Sequence, residues 1–223
     1  MRAVLFDLDG TLIDTVALIR ESMRYATREV LGVTLPDEVL MHNVGIPLLT
    51  QMREFSPEHA EELVTVYRAH NAEVHDELIA EYPGTEAVLG ELAERGLPLG
   101  IVTSKSSPVA LRGIRLFGLE HYFSAIVCAD HVERHKPDPF PVLEGARLLG
   151  QDPRACMYVG DSPHDMRAAI DAGAVSVAAL WGAFEAERVL EPRPEFAVQN
   201  ITDLPRLLSG EAKTFAYAPP SGG

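Results

Sequence analysis

Five short apolar runs, at residues 3–7, 98–103, 125–128, 156–160 and 175–180, constrain this chain more than any other feature. Each is short and β-branched or aromatic in part, and reads as a strand buried on both faces. Helical patterns at about 84–95, 107–117, 138–149 and 163–173 lie between the later runs. Strands and helices in alternation imply right-handed crossovers and a parallel sheet covered by helices on both sides. The expected core is therefore a doubly wound α/β sheet. Such sheets bind ligands at the carboxyl ends of their strands, near the topological switch point.

Residues 15–82 break the alternation. They contain no convincing strand and read as helices, chiefly 17–31 and 57–78. Leu18, Met23, Ala26, Val30 and Leu31 form one broad apolar face; Ala60, Leu63, Val64, Tyr67 and Val74 form another. Pro36 and Pro47 are expected to bound a short middle helix, and Pro83-Gly84 marks the return to the sheet. The expected division is a core of 1–14 and 83–208, an α-helical insertion at 15–82, and a disordered tail at 209–223.

The sharpest chemistry sits at the first strand's end. Asp7-Leu8-Asp9-Gly10-Thr11 follows directly on Ala3-Val4-Leu5-Phe6. Residues two apart share one face of an extended chain, and past the strand end the chain turns, so both carboxylates can reach one space. Such a pair can divide labour, one attacking as nucleophile and the other moving protons. The plainer reading is an acidic loop capping the next helix.

The remaining motifs tip that balance. Asp7-Leu8-Asp9-Gly10-Thr11-Leu12 resembles the first motif of the haloacid dehalogenase-like hydrolases, a superfamily made up mostly of phosphatases. Thr103-Ser104-Lys105 at the end of an apolar run is similar to the second, and Lys136 in His135-Lys136-Pro137-Asp138-Pro139 to the third. Met157-Tyr158-Val159-Gly160-Asp161-Ser162-Pro163-His164-Asp165 resembles the fourth. The resemblance implies a Rossmann-like core, and makes the helical insertion similar to the family's small α-helical cap.

By that resemblance Asp7 is the nucleophile that becomes an aspartyl-phosphate, and Asp9 the acid and base. Mg²⁺ would be bound by the Asp7 carboxylate, the Asp9 backbone carbonyl and Asp161. Asp165 would orient a neighbouring group around that centre. Thr103, Ser104 and adjacent N–H groups would hold phosphoryl oxygens, and Lys136 would neutralise charge. Electrostatics agrees that a cation is needed: Asp7, Asp9, Asp161 and Asp165 in one pocket would repel a phosphate. Oxygen ligands with a phosphate partner favour Mg²⁺. Lys105, one of three lysines with Lys136 and Lys213, reads as a solvated loop residue. Ser162 reads as a helix N-cap ahead of Pro163, and His42 and His164 receive no role.

Composition removes other classes. With 47% hydrophobic and 23% charged residues the 223-residue chain is globular and buries a sizeable core. A net charge of −14 argues against a nucleic-acid surface, which needs a basic stripe. No apolar run approaches the roughly 18–20 residues that span a bilayer, and no secretory signal is visible. Cys128 and Cys156 lie in apolar runs without metal spacing, as reduced buried thiols do. A cytoplasmic monomer or weak homodimer acting on a small phosphorylated metabolite is expected.

The substrate is less legible. The second and third motifs are most similar to those of phosphoglycolate phosphatases, with inorganic pyrophosphatases about as close through Val102-Thr103-Ser104-Lys105 and Leu180-Trp181-Gly182. The β-phosphoglucomutase group usually has an arginine shortly after a glycine in its cap loop. Asn43-Val44-Gly45-Ile46-Pro47-Leu48 has none, which disfavours a mutase. A binding-only module would not need both Asp7 and Asp9. Specificity is expected in the loop from 42 to 48, with Arg20 or Arg24 pairing a substrate carboxylate.

Overall fold

The structure is a computed structural model that describes residues 1–209. The tail expected at 209–223 lies outside the described residues apart from Ser209. Strand β1 (Ala3–Phe6) opens the chain and is followed by the two-residue β2 (Ile13–Asp14). Four helices come next: α1 (Val16–Leu31), α2 (Asp37–Leu40), α3 (Leu48–Phe55) and α4 (Ala60–Val74). Strand β3 (Ala80–Glu81) then pairs antiparallel with β2. The alternation follows as α5 (Thr85–Glu94), β4 (Leu99–Val102), α6 (Ser107–Leu116) and β5 (Phe123–Val127). It continues through α7 (Phe140–Leu148), β6 (Cys156–Gly160), α8 (Pro163–Ala172) and β7 (Val175–Ala179). Helix α9 (Ala186–Leu190), β8 (Phe196–Val198) and α10 (Leu204–Leu208) complete it.

The main sheet has the order β5-β4-β1-β6-β7-β8, with every neighbour parallel. The chain adds strands to one side of β1 and later to the other, which puts the switch point beside β1. Successive residues of β1 face opposite layers. Val4 and Phe6 pack with Leu89 and Leu92 of α5, Ile114 of α6 and Leu204 of α10. Ala3 and Leu5 pack with Val142 and Ala146 of α7 and Ala168 and Ala169 of α8. Both faces are covered, so all four residues are fully buried.

The five expected strands are present, and the structure adds β8 and the short β2–β3 pair. The middle of the helical segment differs from expectation. Pro36 immediately precedes α2 and Pro47 immediately precedes α3, so each proline starts a helix instead of the two bounding one. A preset φ and a missing N–H suit the entry to a first turn. Helices α1, α3 and α4 share Ile19, Met23, Met52 and Leu63, in one apolar cluster with Met166 of α8, Ala178 of β7 and Val189 of α9. Cys128 and Cys156 are free and buried, and burial pushes both thiols up to about 11. Among the described residues no helix is long and apolar enough to cross a membrane.

Truncating Phe6 to alanine is expected to lower unfolding free energy by about 3–5 kcal/mol, as for other buried aromatics. Leu116→Ala, at a side chain 47% exposed, should change it by less than about 0.5 kcal/mol. Urea titrations of the two variants check this.

Candidate active site

Asp7 lies one residue past β1, Thr103 one past β4 and Asp161 one past β6, so three neighbouring strands deliver them to one edge of the sheet. The loop after β5 brings Lys136 over the same edge. Its ammonium donates to Asp7 Oδ1 at 2.9 Å and to Asp165 Oδ1 at 2.6 Å, with the Tyr158 hydroxyl at 3.2 Å. The lysine side chain is 1% exposed. Burial works against its charge, but Asp165 and Asp7 outweigh that and hold its pKa above the ordinary lysine value.

Asp165 is oriented from two sides. Ser162, the N-cap of α8, accepts from the Asp165 N–H at 3.1 Å, while its own N–H and hydroxyl donate to Asp165 Oδ2. This capping box fixes one carboxylate oxygen. Tyr158 donates to the other at 2.9 Å. The sequence places Tyr158 in a strand and in the fourth motif but gives its hydroxyl no role. A tyrosine inside a buried apolar run needs a partner for its hydroxyl, and that was the available signal.

Asp161 sits in a cradle that only glycine permits. A Cβ on Gly10, whose φ is +73°, would fall 2.1 Å from Asp161 Oδ2, and one on Gly182 would fall 2.3 Å from it. The Ala183 N–H donates to that oxygen at 2.7 Å. One oxygen each of Asp7, Asp161 and Asp165 lie within 4.8 Å of one another. Burial, then the charges of Asp165 and Asp7, pushes the Asp161 carboxyl well above its usual range. Burial likewise pushes Asp7 up to about 7, with Lys136 opposing and Asp165 and Asp9 adding to it. Hard oxygen donors outnumber the one buried ammonium, and this donor set fits a small divalent cation such as Mg²⁺.

Asp9 lines the cleft. The Thr15 hydroxyl donates to its Oδ1 at 2.7 Å, and the Lys105 ammonium pairs with the same oxygen. Lys105 is therefore not the solvated loop residue expected: its side chain is 15% exposed. Its backbone is pinned by its N–H on Thr103 Oγ1 and by the Ala129 N–H on its carbonyl, which turns the side chain toward Asp9.

Ser104 lines the cleft, but its hydroxyl donates to the Gly45 carbonyl at 2.6 Å. The Thr103 N–H is taken by the Val127 carbonyl at 2.9 Å. Among the described residues the N–H groups of Leu8, Asp9 and Ser104 find no acceptor, and these can receive an oxyanion. Arg20 and Arg24 do not line the cleft; both pair with Asp37 on the outside of α1. Arg68 of α4 and Arg112 of α6 line it instead. The cleft encloses about 780 Å³ between the sheet edge and the helical segment.

An acidic cluster around one buried lysine lies at the switch point of a doubly wound α/β sheet, where such folds place their ligands. The chain belongs to the haloacid dehalogenase-like hydrolase family, whose model matches residues 4–179. It is 36% identical to the pyrophosphatase PpaX of Bacillus velezensis, over 91% of this chain and 94% of the relative. Among solved structures it resembles a predicted phosphoglycolate phosphatase from Haemophilus somnus, with TM-score 0.82 and 22% identity over 93% of this chain and 98% of that one. It also resembles a β-phosphoglucomutase from Clostridium difficile, with TM-score 0.81 and 20% identity over 95% and 96%. Those two share the fold, and a fold common to a phosphatase and a mutase does not choose between substrates.

Tyr158→Phe is expected to lower stability by about 1–2 kcal/mol, since a buried acceptor loses its donor. It should reduce kcat several-fold with little change in KM, because Lys136 and Asp165 lose a shared support. Denaturant unfolding and steady-state kinetics on one preparation test both parts.

Proposed function

We propose that this chain is a Mg²⁺-dependent phosphohydrolase that works through an aspartyl-phosphate on Asp7, in the cytoplasm, with residues 15–82 acting as its cap. Pyrophosphate is the first substrate to test and phosphoglycolate the second. The observation that carries the reading is the buried Lys136 ammonium, 2.9 Å from Asp7, in a cluster that also holds Asp161 and Asp165.

The chemistry follows from the positions. An Asp7 oxygen attacks phosphorus, the bond from phosphorus to the leaving oxygen breaks, and Asp9 gives that oxygen its proton. Asp9 then takes a proton from water as the water attacks the same phosphorus. The bond from phosphorus to Asp7 breaks and inorganic phosphate leaves. Lys136 holds Asp7 in place for both steps and balances charge on the phosphoryl oxygens. Thr103 and the N–H groups of Leu8, Asp9 and Ser104 receive those oxygens. Asp7, the Asp9 carbonyl and Asp161 would hold Mg²⁺, while Asp165 is spent on Lys136, Tyr158 and Ser162. The ion would supply positive charge against the phosphoryl oxygens.

One observation favours pyrophosphate over phosphoglycolate: the relative at 36% identity is named a pyrophosphatase. The arginines expected to read a glycolate carboxylate, Arg20 and Arg24, lie outside the cleft. A binding-only module is disfavoured by Asp9, which such a module does not need.

Asp7→Asn should abolish turnover without unfolding the protein, and retained kcat would remove Asp7 as nucleophile. Asp9→Asn should slow turnover by about 10²–10⁴-fold, least for substrates with good leaving groups. Chelation by EDTA should stop the reaction and Mg²⁺ should restore it better than Ca²⁺, which prefers looser geometry. Full activity in chelator would sink the metal assignment.

A further inference from the structure

Three cations line the cleft away from Lys136, and they are not equally engaged. Arg112 donates from Nε to Asp76 at 2.9 Å and from Nη1 to the Ala72 carbonyl at 2.8 Å, which spends it on joining α6 to α4. Lys105 pairs with Asp9. Arg68 is exposed and makes no ion pair among the described residues. It is the unspent cation of the cleft.

Its neighbours on α4 carry polar groups to the same place. Tyr67 and Asn71, one helical turn apart, both line the cleft, and the Asn71 amide donates to the Tyr67 hydroxyl at 3.4 Å. Burial, then the Asp9 charge, raises the Tyr67 pKa. The α4 wall lines the same cleft as Asp9, which the reading above places on the leaving group. The sheet edge supplies Lys136 and a cation site for the transferring phosphoryl group. Its other cation, Lys105, is paired with Asp9, and a second anion would meet Asp9 and Asp161 there.

We propose that Arg68 is the cation of a subsite for a second negative charge carried by the leaving group, bordered by Tyr67 and Asn71. This rests on the phosphohydrolase reading above and assigns the residue that reads the charge on its leaving group. The preferred substrate is a phosphate whose leaving group is itself an anion, either a second phosphoryl group or a carboxylate. Arg68 is the specificity-determining residue, through its forked guanidinium.

The test compares pyrophosphate, phosphoglycolate and p-nitrophenyl phosphate as substrates with Mg²⁺. Arg68→Gln should raise KM for the first two by about ten- to hundredfold, the loss expected for one charge-assisted contact. Its effect on the aryl phosphate should be at least tenfold smaller. Arg68→Lys should recover part of the loss. Arg24→Gln, on the outer face of α1, should leave all three KM values unchanged. Arg68 is exposed, so an unaltered melting curve is expected for its variants. Calorimetric binding of pyrophosphate to Asp7→Asn protein gives a readout that needs no turnover, and adding Arg68→Gln should weaken it by a similar factor. Equal KM changes for all three substrates, or unchanged pyrophosphate binding in that double variant, overturns the subsite. Wild-type protein that turns over none of the three while still binding pyrophosphate through Arg68 overturns the phosphohydrolase reading and leaves the subsite standing.

Discussion

One ammonium organises this molecule. Lys136 is buried among carboxylates that would otherwise repel one another, and it ties the loop after β5 to the ends of β1 and α8. Removing it would leave Asp7 and Asp165 buried without a counter-charge, a loss of several kcal/mol for such networks. The glycine cradle around Asp161, the capping box at Ser162 and the buried Tyr158 hydroxyl all serve the same cluster. The surrounding sheet can be apolar because its polar load is collected at one edge.

The fold was legible because its signals are local. A parallel strand covered on both faces is a near-continuous apolar run, as β1, β4 and β6 are, while β5 and β7 keep enough apolar residues around one serine each to be read. Strand β8 spans three residues and is only partly buried, so its pattern is too brief to read. The β2–β3 pair consists of two residues a side and depends on chain ends brought together by four helices. Pro36 and Pro47 were read as boundaries, yet proline marks a helix entry as readily as an end.

The site was legible where chemistry demands a residue type, and obscure where geometry assigns the work. Asp7, Asp9, Lys136, Asp161 and Asp165 meet at one edge of the sheet. Lys105 looked like a surface lysine, because nothing local to Thr103-Ser104-Lys105 says that the loop folds back onto Asp9. Arg20 and Arg24 looked suitable by type, but helix phase turns them to Asp37, while Arg68 on another helix reaches the cleft. Periodicity identifies a buried face; it does not say which neighbour that face will meet.

The β2–β3 pair bears on how such a protein can be recombined. The main chain enters and leaves the helical segment through Ile13–Asp14 and Ala80–Glu81, which hydrogen-bond to each other. A donor segment spliced at those two points would inherit a ready-made junction. Its interior would not transfer as cleanly, because Ile19, Met23 and Leu63 share an apolar cluster with Met166, Ala178 and Val189. Chimeras made at this junction therefore need their α8 and α9 side chains exchanged together with the helices above them. The backbone is modular here and the packing is not.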